Sequence, residues 1–414
     1  MPMRCLLGSG LLLICQFLPL GGSASGQQWT RFRGPNGSGE AAPADIPTTW
    51  TDRDYKWRIE LAGEGHSSPV LWGDRLYVTA ADDNATQQVY CLDAGNGQVV
   101  WRRQFACKVC PKNTLNSFAT STPAVDRDRL YVAWATPECY ILVALGREDG
   151  REVWRRDFGP FVGEHGFGAS PIVYEELVIV PNDQDGRSSV IAVDSASGKT
   201  RWTIPRRSRK AAYSSPILYT PPGGRPQLIL SSWSHGLSSL DPQTGAVNWE
   251  LGVLDHRVVG SPLLAAGLIF AACGEGGGGK RMVAVRPGDP DKKVQAAVAY
   301  PIEGKLPYAV TPVARGNLLF LWGDQGIVTC LDAPTGKRLW QERVPGRFFG
   351  SPVRVGDRLY AISREGKVIV LAAAAEYKLL GQTDLGEPSQ STPAVAGGVL
   401  YLRTRSHVMA LPGR

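Results

Sequence analysis

The chain has 414 residues and a formal net charge of +7, with 45 Lys and Arg residues against 38 Asp and Glu residues. A chain of this length usually divides into two or three domains, unless internal repeats join it into one unit. The charge is modest, and its sharpest concentration is the run from Arg206 to Lys210. Such a run could meet an acidic polymer or lipid head groups. No aromatic residues interleave with it as in nucleic-acid sites, so we interpret it as a solvated loop and expect no nucleic-acid partner.

Residues 1–26 are predicted to be a signal peptide. A short positive region precedes an apolar core, and small residues then allow cleavage after Ala24 or Gly26. A membrane-spanning helix is disfavoured because the apolar run is short and interrupted by Gly, Gln and Pro. Cys15 stands where a lipoprotein cysteine could, but the bulky Ile14 before it argues against lipidation. We therefore expect an exported protein, periplasmic or extracellular, with no transmembrane segment in the mature chain.

Residues 27–54 are predicted to form an irregular arm, because Pro and Gly are frequent there. Trp29, Phe32 and Trp50 favour docking of this arm onto the rest of the protein. The sequence leaves open whether the arm lies across the main fold or hangs free.

A Ser-Pro or Thr-Pro step recurs through the rest of the chain at spacings of 40 to 54 residues. This is the period of a propeller blade built from four short strands. The eight steps begin at Ser68, Thr122, Ser170, Ser215, Ser261, Thr311, Ser351 and Thr392.

Each unit has the same internal order. Apolar residues alternate in runs of four to eight, which indicates half-buried strands, and a turn of the form D-x-x-x-G precedes a strand that carries Trp. No long segment has helical periodicity, so the pattern predicts an all-β protein. The fifth unit lacks Trp and is interpreted as a degenerate blade. In five units a Gly stands four residues before the Trp: Gly97, Gly150, Gly198, Gly245 and Gly336 precede Trp101, Trp154, Trp202, Trp249 and Trp340.

The eighth unit ends at Leu411 without a Trp-bearing strand, whereas residues 55–61 (YKWRIEL) have the fitting sequence. We therefore predict an eight-bladed β-propeller over residues 55–414, with four-stranded antiparallel blades and a ring closed by the N-terminal strand. This closure requires Trp57 to lie beside residues 408–411.

The segments CLDAGNGQVVW, AVDSASGKTRW, SLDPQTGAVNW and CLDAPTGKRLW resemble the PQQ-like β-propeller repeat. That repeat occurs in quinoprotein alcohol dehydrogenases and in the outer-membrane assembly lipoprotein BamB. The resemblance covers nearly the whole chain after the signal peptide. It implies an eight-bladed ring, and a shared ring says little about the reaction or the partner.

The candidate binding residues lie just before the Ser-Pro and Thr-Pro steps. The first strand of a blade is innermost, so the residues that lead into it surround one mouth of the central channel. They differ from unit to unit on a constant scaffold, which is typical of a binding rim. Polar loop residues without a common ligand are an equally good interpretation. The candidates are Glu64, His66, Thr120, Glu164, His165, Tyr213, His256, Arg257, Tyr308, Phe349 and Gln390.

Cys107 and Cys110 are the candidate pair for a disulfide. A c-type haem would need His after the second cysteine, where Pro111 stands, and a zinc site would need two more ligands. A local disulfide suits the oxidising compartment that we expect for an exported protein.

Two functions follow as hypotheses. The first is a non-catalytic monomeric scaffold, without a cofactor, that binds a protein or glycan partner in the cell envelope through the channel mouth and rim. The second is an alcohol or sugar dehydrogenase that depends on PQQ and Ca²⁺ and has a reduced pocket. The resemblance implies a calcium ligand set of acidic and amide side chains for the enzyme, and no such set can be matched in this sequence.

Overall fold

The structure is a computed structural model that describes residues 28–275 and 278–414. Its strands form eight antiparallel sheets of four strands each, two of which gain a fifth strand from the N-terminal arm. The predicted eight-bladed β-propeller is therefore confirmed. The predicted signal peptide lies outside the described residues. The only helices among the described residues are two 3₁₀ turns, Pro35–Gly37 and Asp52–Asp54, and none is long and apolar enough to span a membrane.

The first four blades follow one another along the chain. Blade one contains Val70–Trp72, Arg75–Ala81, Gln87–Asp93 and Val99–Phe105, and blade two contains Ala124–Val125, Arg129–Ala135, Tyr140–Gly146 and Glu152–Asp157. Blade three contains Ile172–Tyr174, Leu177–Asn182, Ser188–Asp194 and Thr200–Arg206, and blade four contains Ile217–Tyr219, Gln227–Ser232, Gly236–Leu240 and Val247–Leu251.

The last four blades complete the ring. Blade five contains Leu263–Ala265, Leu268–Glu275, Gly278–Arg286 and Ala297–Ile302, and blade six contains Val313–Arg315, Leu318–Trp322, Ile327–Asp332 and Arg338–Arg343. Blade seven contains Val353–Val355, Arg358–Ile362, Lys367–Ala372 and Leu379–Asp384, and blade eight contains Ala394–Ala396, Val399–Arg403, His407–Pro412 and Trp57–Glu60.

The Ser or Thr of the repeated step joins a blade to its neighbour at six of the eight junctions. The backbone N–H of Ser68 donates to the hydroxyl of Thr122 at 2.9 Å, and the N–H of Thr122 donates to the hydroxyl of Ser170 at 3.0 Å. A buried N–H needs a partner, and a hydroxyl at this position supplies it. The recurrence of Ser and Thr therefore has a structural cause. The same contact links Ser215 to Ser261, Ser261 to Thr311, Thr311 to Ser351 and Ser351 to Thr392.

In five blades the Trp of the fourth strand packs against a Gly of the next blade. A Cβ on Gly150 would lie 2.6 Å from the Trp101 ring, and the φ of Gly150 is +67°. Glycine alone has room there and tolerates this backbone conformation. The indole N–H of Trp101 donates to the carbonyl of Arg147, in the turn that contains Gly150, at 3.1 Å. The Gly of the repeat therefore has two roles: it allows the tight turn, and it makes room for the Trp of the preceding blade.

The degenerate fifth blade keeps this contact with a different side chain. Tyr300 lies opposite Ala284, the register that Trp occupies in other blades, and its ring packs on Gly336. Its hydroxyl donates to the carbonyl of Ala333. In blade seven Gly381 stands at the position that Trp occupies in other blades. The N-terminal arm packs directly on it, since a Cβ on Gly381 would lie 2.1 Å from the carbonyl oxygen of Thr48.

The N-terminal arm lies across the ring and blocks one end of the channel. Gln28–Trp29 pairs with the innermost strand of blade one, and Glu40–Ala41 runs parallel to the innermost strand of blade seven. Between them Arg33 is fully buried and donates to the carbonyls of Pro312 and Pro352 at 2.6 and 2.9 Å. The arm thereby converts an open channel into a cavity with one mouth.

Candidate functional site: a blind cavity at the channel mouth

A cavity of about 680 Å³ occupies the open end of the channel. Its wall includes the residues that lead into the Ser-Pro and Thr-Pro steps, as the sequence predicts, and Phe32 of the arm also contributes to it. Because successive strands of a blade alternate in direction, the turns after the second strands reach the same face and add further side chains. Nine predicted residues line this cavity: His66, Thr120, Glu164, His165, Tyr213, Arg257, Tyr308, Phe349 and Gln390.

The other two predicted residues are not part of the cavity wall. Glu64 pairs with Arg405 outside it. The His256 ring instead stacks on Trp233, with 5.8 Å between ring centroids, and Trp233 lines the cavity. These two side chains contact neighbours beside the cavity rather than the cavity itself, and their part in binding stays a prediction.

A charged cluster joins the loops that precede blades three, four and five. The Arg257 guanidinium, with only 10% of its side chain exposed, donates to Glu164 at 2.7 Å, and Lys210 donates to the same carboxylate at 3.2 Å. Arg257 also donates to Nε2 of His165. The hydrogen bonds from Arg257 and Lys210 lower the pKa of Glu164 to about 2. Glu164 is therefore ionised across the physiological pH range and holds these loops together.

The two histidines of the wall are uncharged at neutral pH. Burial lowers the pKa of His66 to about 3, and the positive charges of Arg403, Lys112 and Arg405 act in the same direction. Burial and then Arg257 also lower the pKa of His165. Both imidazoles are therefore neutral, since the protonated form is disfavoured by desolvation and by nearby cations.

Sequence reasoning missed several residues of the wall. Asp324 accepts from the Lys280 ammonium at 2.6 Å and from the backbone N–H groups of Tyr308 and Ala309 at 3.0 and 2.9 Å. Five of the missed residues follow or end second strands of blades or begin third ones, a position in the repeat that could have pointed to them. They are Trp233, Glu275, Lys280, Asp324 and Arg364.

The cavity does not offer the oxygen ligands that a calcium-dependent quinone enzyme needs. Calcium takes six to eight oxygen ligands, with ionised carboxylates prominent among them. Glu164 is neutralised by Arg257 and Lys210, and Asp324 is occupied by Lys280 and two backbone N–H groups. Among the described residues only Glu275 is a carboxylate of the wall without an ion pair. The residues present therefore do not fit a Ca²⁺ site.

A separate group of potential metal ligands lies behind the wall. Ligand atoms of Asp255, His256 and Cys273 lie within 4.8 Å of one another. Asp255 accepts a hydrogen bond from His256 at 2.9 Å and pairs with Arg281 at 3.0 Å. Because these groups satisfy one another, their arrangement is explained without an ion.

The cysteines of the predicted disulfide lie in the connection between blades one and two. Cys107 and Cys110 are partly buried free thiols in this structure, and Cys107 packs with Cys139 against the core that blades one and two share. Burial raises the pKa of Cys107 to about 11, with smaller contributions from Cys139 and Cys110. The disulfide remains a prediction, and Cys139 is a third thiol close to it.

An eight-bladed ring of Trp-bearing blades with one blocked end and one open cavity is a PQQ-like propeller. The model of the family described as "Outer membrane protein assembly factor BamB" matches residues 50–104, 85–342 and 295–412. The chain belongs to this family.

Individual relatives are distant. The BamB of Burkholderia pseudomallei is 25% identical over 383 residues, which cover 87% of this chain and 86% of that protein. A polyvinylalcohol dehydrogenase from a Pseudomonas species is 26% identical over 223 residues, which cover 49% of this chain and only 32% of the dehydrogenase. The crystal structure of quinohemoprotein alcohol dehydrogenase from Comamonas testosteroni is similar with a TM-score of 0.65 and 14% identity, covering 95% of this chain and 82% of that one. At that identity, the likeness concerns the fold alone.

Proposed function

We propose that this chain is an exported, non-catalytic binding protein whose channel mouth recognises a protein partner in the cell envelope. Membership of the BamB family supports an assembly or scaffold role. The observation that carries the proposal is the cavity: two of its three carboxylates, Glu164 and Asp324, are paired with the chain's own cations, while aromatic and polar side chains that differ from blade to blade surround its mouth. A rigid ring with a varied rim is suited to recognition.

Photo-crosslinking tests this proposal. Phe349 is replaced by a photoreactive phenylalanine analogue, and the protein is expressed in its own host and irradiated in intact cells. We expect one dominant adduct with an envelope protein, identified by mass spectrometry. The matched control is the same analogue at Val247, which is 56% exposed on the outer strand of blade four. An adduct that forms equally at both positions, or only at Val247, would contradict recognition at the mouth.

A second candidate is favoured by the partial likeness to polyvinylalcohol dehydrogenase. On that hypothesis the chain is a PQQ- and Ca²⁺-dependent alcohol dehydrogenase with a reduced pocket. When bound, PQQ would supply an acceptor for the electrons of the alcohol, and the protein would supply only binding and orientation. The pairing of Glu164 and Asp324 with cations argues against the calcium site that such an enzyme uses.

Reconstitution separates the two candidates. Purified protein is incubated with PQQ and Ca²⁺, and bound-cofactor absorbance and dye-linked alcohol oxidation are measured. We expect neither stoichiometric binding nor turnover. Tight binding of PQQ together with alcohol oxidation would contradict the scaffold hypothesis and support the dehydrogenase.

A further inference from the structure

Arg364 differs from the other cations of the cavity. Arg257 pairs with Glu164 at 2.7 Å, and Lys280 pairs with Asp324 at 2.6 Å. Arg364 follows the second strand of blade seven and lines the cavity, but its side chain makes no ion pair or hydrogen bond with any residue in the described parts of the chain. Its Nε is buried without a partner.

Backbone hydrogen bonds hold the main chain of Arg364 at the wall. Its N–H donates to the carbonyl of Arg347 at 2.7 Å, and its carbonyl accepts from Ser389 at 3.2 Å. The loops that precede blades seven and eight therefore hold it from both sides. The neighbouring Gln390 also lines the cavity, and its Oε1 is buried with no partner among the described residues. Two adjacent polar groups of the wall are thus left without partners.

A buried polar or charged group without a partner is costly, so native proteins normally satisfy it. Among the described residues of the wall, four cationic side chains stand against three carboxylates; Arg364 is the cation without an ion pair, and Glu275 is the carboxylate without one. The planar guanidinium offers two parallel N–H donors that match the two oxygens of a carboxylate. An anion of this shape is the group that would satisfy Arg364.

The rest of the wall favours a ligand with an apolar body. Phe32, Tyr213, Trp233, Tyr308 and Phe349 line the same cavity. A volume of about 680 Å³ is in the range that holds a small organic molecule or a few residues of an inserted chain.

We infer that the cavity binds a carboxylate group carried on an apolar or aromatic body, with Arg364 as its anchor. This inference rests on the proposed function and specifies which group of the partner is recognised. The partner inserts an acidic side chain or its C-terminal carboxylate into the mouth. A free organic acid offers the same carboxylate, and the experiment distinguishes these sources.

Binding is measured by calorimetry and by ligand-observed NMR with defined probes. N-acetylphenylalanine represents a chain terminus, the α-amide of N-acetylglutamic acid represents an acidic side chain, and benzoate represents a free organic acid. The matching neutral controls are N-acetylphenylalanine amide, N-acetylglutamine amide and benzamide. We expect the carboxylate probes to bind at least about tenfold more tightly than their amides, because hydrogen bonds between charged groups are stronger than those between neutral ones. The strongest of the three probes identifies the source.

Two variants of neighbouring arginines provide the decisive comparison. Arg364→Gln removes the charge at the wall, and we expect it to lower the affinity for the carboxylate probes about tenfold or more. Arg347→Gln is the matched control, because Arg347 is exposed, pairs with Glu365 at 3.1 Å and does not line the cavity. It should bind the probes as the wild type does. If Arg364→Gln does not fold, Arg364→Lys is used instead. It keeps the charge but loses the two parallel N–H donors, so it is expected to bind the carboxylate probes several-fold more weakly than the wild type.

Equal binding of acids and amides would overturn the inference, as would wild-type affinity in Arg364→Gln or the absence of binding by all three acids. The proposed function can fail separately. If an envelope partner is crosslinked at Phe349 but the carboxylate probes neither bind nor compete, the partner is recognised without Arg364. If the probes bind and no protein is crosslinked, the cavity is a site for small acids and the scaffold role fails.

Discussion

Trp57 lies directly opposite Ala410 in the antiparallel ladder of blade eight, so the two ends of the repeat region share one sheet. The Trp57 ring packs on Gly97 of blade one, and its indole N–H donates to the carbonyl of Ala94 at 3.0 Å. One side chain therefore links blades eight and one. The ring is closed by the same Trp-on-Gly contact that joins blades one to five.

This contact predicts the effect of removing the closing side chain. Replacing Trp57 by Ala should lower the free energy of unfolding by about 3–5 kcal/mol, because a buried Trp is lost and a cavity forms between two blades. Arg58→Ala is the matched control, since Arg58 points outward from the same strand, and should change stability by less than about 0.5 kcal/mol. Urea unfolding followed by tryptophan fluorescence and circular dichroism measures both. Similar losses in the two variants would contradict the closure.

Much of the ring is readable from the sequence because its contacts repeat. The hydroxyl of Thr122 and the ring of Trp101 make the same contact in blade after blade, so their spacing marks the blades directly. Part of the cavity wall follows by the same logic, since His66 and Phe349 stand just before repeated steps.

The remaining features have no repeated signal. The turn that holds Arg364 differs in sequence from blade to blade, so the repeat gives its position near the mouth but does not show that an unpaired cation stands there. Arg33 docks on backbone carbonyls, which every residue possesses, so the sequence does not specify its acceptors. Contacts between a single side chain and the backbone appear only when the fold is known.

The buried arm predicts a test of how the channel is blocked. In Arg33→Ala the carbonyls of Pro312 and Pro352 lose their donor, and each unsatisfied acceptor costs about 1–3 kcal/mol. We expect the arm to detach and to become susceptible to limited proteolysis between residues 30 and 50 while the blades stay intact. Arg53→Ala removes an exposed arginine of the same arm and should leave cleavage unchanged. If both variants resist protease as the wild type does, Arg33 does not hold the arm in place.

His66 predicts a pH dependence of stability. Its pKa is lowered from 6.5 to about 3 in the folded protein, so below pH 6.5 the unfolded chain binds a proton that the folded chain excludes. Stability attributable to this group is present above pH 6.5 and is lost as the pH falls towards 3, by at most about 1.4 kcal/mol per pH unit.

His66→Gln removes the titrating group and keeps a neutral polar side chain. The variant should therefore lose less thermal stability than the wild type between pH 6.5 and 4, while the two proteins unfold at similar temperatures at pH 8. Melting temperatures over this range measure the difference. Parallel curves for the two proteins would show that His66 does not carry this dependence.

The thiols between blades one and two give the last prediction. In protein purified from an oxidising compartment we expect one disulfide between Cys107 and Cys110, while the fully buried Cys91, Cys273 and Cys330 remain thiols. Peptide mapping without reduction, after alkylation of free thiols, measures the pairing.

Single serine variants distinguish this pair from its neighbour. Cys139→Ser should keep the disulfide, whereas Cys107→Ser should abolish it, because Cys110 is the partner that the short C-x-x-C spacing supplies. Cys139 also packs beside Cys107 and contributes to its raised pKa, so it is the competing partner. A Cys107–Cys139 bond in the wild type, lost in Cys139→Ser, would replace the local pair by a cross-link between the connection and the second blade.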